Sequence, residues 1–343
     1  MKNLYVFDVS GVVYYGTTGF ASSFADSTFR KFPVGGIKTL ASRLSMAFAE
    51  NADVVLAFDS RSRRKDLFPE YKGDRIPNRA VMAQLDFLYD HLCNARIPCV
   101  KYNGYEADDI IYWTVKQYAR SYQHVIIYSN DHDVAHNVQY NVSMKPFSKS
   151  SPIISYSNFE YSVVKGKVIP WNTISAYKVF MGCSSDKIPK FKSKQYSSEG
   201  LYRAFVKFLE DNGKLDQYLV ATNPNALVIF VNSSGFFDDE EKDTIFKRIQ
   251  LIYPEEKPED VVITPVNKHI IDVHTFSEML VMCRDYDSLT HLKQKSFDLS
   301  KDFLATIDSY SKSLTSGAYS VDRDLEVDPS YEEDSDMLFL KEF

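Results

Sequence analysis

Short apolar runs that stop on an acidic residue recur through the first half of the chain. Leu4-Tyr5-Val6-Phe7 stops at Asp8, and Val54-Val55-Leu56-Ala57-Phe58 stops at Asp59. Val125-Ile126-Ile127-Tyr128 runs into Ser129-Asn130-Asp131-His132-Asp133, and a fourth run from Ile97 to Tyr102 leads to Gly104. Unbroken apolar runs of this length suit strands buried on both faces. Helix-length stretches lie between them, over residues 36–50, 79–95 and 108–122. Strands alternating with helices predict an α/β fold with a parallel sheet flanked by helices. Ser10-Gly11 predicts a turn after the first strand. In such sheets ligands bind beyond the carboxyl ends of the strands. Asp8, Asp59, Asp131 and Asp133 are therefore expected on one rim.

The stretch Gly104-Tyr105-Glu106-Ala107-Asp108-Asp109-Ile110-Ile111 adds three more acids, at the start of an apolar helical run. Negative charge is favoured at a helix N-terminus, so an ordinary helix with an acidic first turn is the plain alternative. The repeated placement of acids at strand ends favours a shared site. Two carboxylates ~4 Å apart repel by about 1 kcal/mol even in water, so a cluster of this size calls for cations. Oxygen ligands favour hard ions such as Mg²⁺ or Mn²⁺. Two such ions can clamp a phosphodiester and activate water.

Arg61, Arg63, Arg64 and Lys65 follow directly on Asp59, then Phe68-Pro69-Glu70-Tyr71-Lys72-Gly73-Asp74-Arg75. Basic residues interleaved with aromatics suit phosphate contact and base stacking. A helical run over 173–181 leads through Gly182-Cys183-Ser184-Ser185-Asp186-Lys187-Ile188-Pro189 to Lys190, Lys192 and Lys194, and a second helix is expected over 199–211. Helix, basic loop, helix is the pattern of a duplex-backbone reader. Val228-Ile229-Phe230-Val231 is apolar, and residues 238–253 form an amphipathic helical pattern. Residues up to about 318 are expected to buttress the core. Beyond them an acidic stretch of low hydrophobicity predicts an unpacked tail. It ends in Met337-Leu338-Phe339-Leu340-Lys341-Glu342-Phe343, a candidate docking peptide.

Charge changes the picture only once it is localised. The chain of 343 residues has a net charge of −6, yet Ser320–Phe343 alone carries −7, so the rest is close to neutral. With several acids committed to cations, the remaining surface is positive, which is compatible with a nucleic-acid partner. The four cysteines Cys93, Cys99, Cys183 and Cys283 have no metal-finger spacing and suit reduced thiols in a cytoplasmic protein. No run approaches the ~20 apolar residues needed to span a bilayer.

Taken in order, these motifs resemble the 5′-nuclease superfamily of flap endonucleases and 5′-to-3′ exonucleases, and are most similar to the phage RNase H type. The likeness runs from the start to about residue 215. It implies a PIN-like catalytic domain over 1–165 with an arch segment over about 61–95. A helix-three-turn-helix and helical C-terminal DNA-binding part would follow over 166–318, then the tail over 319–343. By resemblance, one Mg²⁺ is held by Asp8, Asp59, Glu106, Asp108 and Asp131, and a second by Asp131, Asp133 and Asp186 with Asp109 nearby. Mn²⁺ is able to substitute. Lys72 and Arg75 would face the scissile phosphate and Tyr71 would stack on a base. Arg61, Arg63, Arg64, Lys65, Lys187, Lys190, Lys192 and Lys194 would contact DNA. The implied activity is hydrolysis of branched or nicked DNA, or of RNA in an RNA–DNA hybrid, including primer removal in phage DNA replication in the host cytoplasm. The implied protein is a monomer with no membrane contact, and Met337, Leu338, Phe339, Leu340 and Phe343 would dock on a sliding clamp or single-strand binding protein.

Two departures stand out. Cys183 occupies a position where the family has an aspartate, which weakens the second cation position. Lys190-Phe191-Lys192-Ser193-Lys194-Gln195 replaces a glycine-rich turn. The thiol leaves a second reading open, a DNA-structure binding protein of the same fold with weakened catalysis. An RNA-directed PIN nuclease fits less well with the basic arch and the hairpin.

Overall fold

The computed structural model describes residues 2–19, 32–73, 77–148, 151–157, 161–163, 167–184, 186–215, 219–284 and 299–315. Arg75 and the tail residues Met337, Leu338, Phe339, Leu340 and Phe343 lie outside them.

The chain opens with β1 (Asn3–Asp8), α1 (Val9–Gly19), α2 (Gly35–Ala49), β2 (Asp53–Ala57), the single turn α3 (Arg64–Leu67) and α4 (Arg79–Asn94). Next come β3 (Cys99–Val100), α5 (Ala107–Tyr118), β4 (His124–Tyr128) and β5 (Val142–Lys145). A small antiparallel pair, β6 (Tyr161–Val163) and β7 (Lys167–Ile169), follows. The elements described after these are helices: α6 (Ile174–Met181), α7 (Ser198–Asp211), α8 (Leu219–Thr222), α9 (Asn225–Ser233), α10 (Asp239–Ile252), α11 (Val273–Met282) and α12 (Lys301–Thr315).

The main sheet has the order β3-β2-β1-β4-β5, and every pairing in it is parallel. Strand order reverses at β1, whose neighbours β2 and β4 lie on opposite sides. This is the crevice where an open α/β sheet places its ligands. The apolar runs of β1, β2 and β4 are buried because helices cover both faces. One core, with α1, α2 and α4, includes Phe7, Leu40, Phe48, Leu56 and Leu88. The other, with α5, includes Val6, Val55, Ile110, Trp113 and Ile127.

Two expectations change, and one apolar run gains an element. Ser10-Gly11 is not a turn: α1 starts at Val9, directly after β1. The Ile97–Tyr102 run gives only a two-residue strand, since Pro98 has no N–H to donate to a ladder. Val228–Val231 is part of helix α9, one face of which packs Leu227, Phe230 and Val231 into a third core formed largely by α6, α7 and α10. The last described helices return to the beginning of the chain: Phe276 and Met279 of α11, and Phe303 and Ile307 of α12, join the core with α2 and α4.

Candidate metal and nucleic-acid site

The parallel register sets Asp8, Asp59 and Asp131 on one rim. Asp8 is the last residue of β1, Asp59 lies two residues beyond β2, and Asp131 lies three beyond β4. The N-terminus of α5 reaches the same edge. Asp8 is buried, at 4% exposure. Its Oδ1 accepts from the Gly11 amide at 3.0 Å and its Oδ2 from the Ser129 hydroxyl at 2.8 Å. Gly11 has no side chain because a Cβ there would stand 2.5 Å from Asp8 Oδ2. Asp59, half-buried, accepts from the Ala107 amide at 2.7 Å and from the Ser10 hydroxyl.

These carboxylates feel one another. Burial first, then the charges of Asp59 and Asp131, push the Asp8 carboxyl up from 3.8 to about 7. Asp59 is raised by burial, with Glu106 adding to the rise. Asp108 is held well above the ordinary range by burial, then by Asp131, Asp8 and Glu106. Acids that are raised by one another gain most from a cation that neutralises them together.

Glu106 caps α5 and forms a reciprocal capping box with Asp109. Its Oε2 accepts from Arg64 Nη1 at 2.6 Å and from the Tyr71 hydroxyl at 3.0 Å, while its Oε1 accepts from Lys72 Nζ at 2.6 Å. Lys72 adopts φ 53°, in the left-handed region. Glu106 therefore belongs to a charge network as well as to the rim.

This network corrects three sequence expectations. Asp109 is fully buried, and both its oxygens are engaged by Arg64, at 2.7 and 3.0 Å. The same oxygens accept from the amides of Glu106 and Glu255. It is an anchor for α5, not a metal ligand. Arg64 is 4% exposed and committed to Asp109 and Glu106, so it cannot reach DNA phosphate. Its two ion pairs outweigh burial and hold the guanidinium charged. Tyr71 is buried at 3% exposure against Cys183, Ile188 and Leu251, so its ring is not available to stack on a base.

A second cluster lies beside the rim. Among the described residues, Asp133, Cys183 and Asp186 form the one set of three potential ligands whose donor atoms all lie within 4.8 Å of one another. Asp133 follows Asp131, whose carboxylate caps the turn over His132–Asn137 by accepting from the Asp133 amide at 2.8 Å. Cys183 and Asp186 come from the loop after α6. Cys183 and Ile188 exchange two backbone hydrogen bonds of 2.8 Å, closing that loop. The Lys72 amide donates to the Asp186 carbonyl at 3.3 Å, tying the segment after α3 to the same loop. Lys178 of α6 is ion-paired with Asp133, and Lys72 Nζ lies 4.0 Å from Asp186 Oδ1. Lys178 escaped the sequence reading. Its only signal is a position one helical turn before Gly182, which does not identify a partner 45 residues earlier.

The remaining basic residues divide by exposure. Arg61, Lys187, Lys190 and Lys192 are exposed, while Lys65 is half-buried. Arg63 is ion-paired with Glu255 and lies 4.4 Å over the Tyr105 ring. Lys194 is bound to Asp238 at 2.7 Å and Glu240 at 3.0 Å at the start of α10, so it braces that helix rather than standing ready for phosphate.

Residues 3–164 match the family model described as the N-terminal, resolvase-like domain of 5′-3′ exonucleases. DNA polymerase I of Caldicellulosiruptor bescii is 32% identical over 143 residues, covering 40% of this chain and 17% of that protein. The 5′-3′ exonuclease of Aquifex aeolicus is 27% identical over 195 residues, covering 55% of this chain and 64% of that one. The chain thus spans less than two thirds of the length of these relatives. Among solved structures, the T5 D15 protein co-crystallised with metal ions aligns over 92% of this chain and 99% of its own, at 18% identity and a TM-score of 0.49. Among the described residues no helix is long and apolar enough to cross a membrane.

Proposed function

We propose that the chain, whose residues 3–164 match the N-terminal domain of 5′-3′ exonucleases, is a 5′ nuclease: a divalent-cation-dependent hydrolase cutting phosphodiesters at 5′ ends and flaps of branched or nicked DNA. The observation that carries this reading is the gathering of Asp8, Asp59, Asp108 and Asp131 at the sheet's switch point, each of Asp8, Asp59 and Asp108 raised by burial and by neighbouring acids. The oxygen donors on the rim fit Mg²⁺, with Mn²⁺ able to replace it. Asp8, Asp59, Glu106, Asp108 and Asp131 would hold one ion, Asp133 and Asp186 a second. Bound there, the ions supply activation of water and neutralisation of charge on the transferring phosphate.

The chain's own groups do the rest. Gly11 and Ser129 fix the Asp8 carboxylate, and Ala107 and Ser10 fix that of Asp59. Lys72 and Lys178 bring ammonium groups to the acids, where charge develops on the phosphate. Exposed Lys187, Lys190 and Lys192 are suited to phosphates of the flanking duplex. Arg75, beyond the described residues, is assigned to the scissile phosphate by resemblance alone.

Within this reading, RNA in an RNA–DNA hybrid is a further substrate, and primer removal in phage replication, in the host cytoplasm, is the setting. The protein acts as a monomer, and Met337–Phe343 docks on a sliding clamp or single-strand binding protein. Deleting those residues should weaken that interaction and leave cleavage of short oligonucleotides unchanged. Cys183 favours one second reading, a DNA-structure binding protein with weakened catalysis. Cleavage of a labelled 5′ flap and of a nicked RNA–DNA hybrid, with Mg²⁺ and with EDTA, separates them. Cation-dependent cleavage abolished by Asp108→Ala is expected. Tight binding without cleavage in Mg²⁺ or Mn²⁺ would favour the second reading.

A further inference from the structure

The second cluster is not an all-oxygen site. Cys183 Sγ lies with one oxygen each of Asp133 and Asp186, no two of the three atoms more than 4.8 Å apart. The backbone holds the sulfur there. Gly182 sits at φ 81°, and a Cβ at that position would collide with the Ile188 carbonyl, so the chain can enter the loop only as glycine. The paired hydrogen bonds to Ile188 then fix Cys183, and the side chain packs against Tyr71, Ile188 and Leu251 at 8% exposure. The thiol is thus held beside the carboxylates, with little of its surface open to water.

The choice of ion follows from the donors. Mg²⁺ demands a near-octahedral oxygen shell and sheds water reluctantly. Zn²⁺ and Co²⁺ accept sulfur beside oxygen, and affinity rises along the series toward them. Both carboxylates are also partly neutralised, Asp133 by Lys178 and Asp186 by Lys72 at 4.0 Å. Their pull on a hard ion is reduced, so the sulfur weighs more in the balance. We propose that the Asp133–Cys183–Asp186 position selects a thiophilic divalent ion of the Zn²⁺ or Co²⁺ type over Mg²⁺, with Cys183 as the selecting ligand. On binding, the S–H bond breaks, its proton passes to solvent, and the sulfur electron pair forms the bond to the ion. This rests on the nuclease reading for the existence of a cation centre, and goes beyond it in the class of ion.

The test is a Co²⁺ titration of the full chain, followed by near-ultraviolet absorption, with Mg²⁺ calorimetry in parallel. Wild type, Cys183→Ser and Cys183→Asp are compared, each first shown by thermal melting to be folded. The expected result is a sulfur-to-cobalt charge-transfer band in wild type that both variants lack. Co²⁺ affinity should fall roughly tenfold or more in Cys183→Ser, and Mg²⁺ affinity should rise by a similar factor in Cys183→Asp. A band that persists in Cys183→Ser, belonging then to Cys93 and Cys99, overturns the proposal, as does the absence of any band in wild type. Flap cleavage by the same preparations separates the two readings. Cleavage in Mg²⁺ with no Cys183-dependent band removes the ion selectivity alone. A Cys183-dependent band without cleavage in any cation removes the nuclease reading alone.

Discussion

Asp8→Asn should make the cation-free protein more stable while abolishing cleavage. Asp8 is buried at 4% exposure and its carboxyl is raised from 3.8 to about 7, chiefly by burial and then by Asp59. A group raised in the fold stabilises it fully only below its unfolded value, and that stability is lost as pH rises through about 7. At pH 8 the ionised carboxylate costs about 4 kcal/mol relative to a group at its ordinary value, and at pH 5 about 1.7 kcal/mol. Asparagine removes this cost and keeps the oxygen that accepts from Gly11 at 3.0 Å. It puts an amide opposite Ser129, whose hydroxyl donates to Asp8 at 2.8 Å, and that rearrangement costs about 1 kcal/mol. The net gain at pH 8 is about 3 kcal/mol, or roughly 5 °C in Tm, shrinking to near zero at pH 5. The assay is thermal melting in EDTA at both pH values, repeated with Mg²⁺ or Mn²⁺. Divalent ions should raise the wild-type Tm more at pH 8 than at pH 5, and should raise that of Asp8→Asn less at both. An Asp8→Asn protein that melts lower than wild type at pH 8, or gains equally from cations, would refute the picture of a rim strained by its own charge.

Other consequences are more local. Arg64→Met strands Asp109 and Glu106 without their shared partner and should cost about 3–5 kcal/mol in urea denaturation; unchanged stability with weaker DNA binding would restore Arg64 as a phosphate ligand. Gly11→Ala should displace the Asp8 carboxylate and lower divalent-ion affinity by roughly tenfold, read by calorimetry, with wild-type affinity as the refuting result. Lys190→Ala with Lys192→Ala should weaken flap binding uniformly across sequences. The salt slope of log K should drop by about 1 for each phosphate left without its lysine, and an unchanged slope would place the duplex elsewhere.

Much of the sheet was legible because its signal is local. β1, β2 and β4 are apolar throughout and end within three residues of Asp8, Asp59 and Asp131, so strand and strand end are written together. Helices α2, α4, α7 and α10 fall within one or two residues of the amphipathic stretches that announce them. β5 has no such mark: Val142–Lys145 is a strand because β4 offers it an edge.

The charged residues show where local pattern stops. Arg63 and Arg64 are neighbours in one basic run, yet Arg63 is exposed and pairs with Glu255 while Arg64 is buried on Asp109. The acids of one motif part in the same way: Asp108 faces Asp131 and Asp8, and Asp109 turns to Arg64. Lys178 and Cys183 meet Asp133 only through the placement of α6. By itself the sequence determined which segments become strands and helices and which acids stand at strand ends, because burial follows a period of a few residues. Only the tertiary structure decided which of those charges face each other, because that depends on distances between segments remote along the chain, and Coulomb energy takes no account of sequence order.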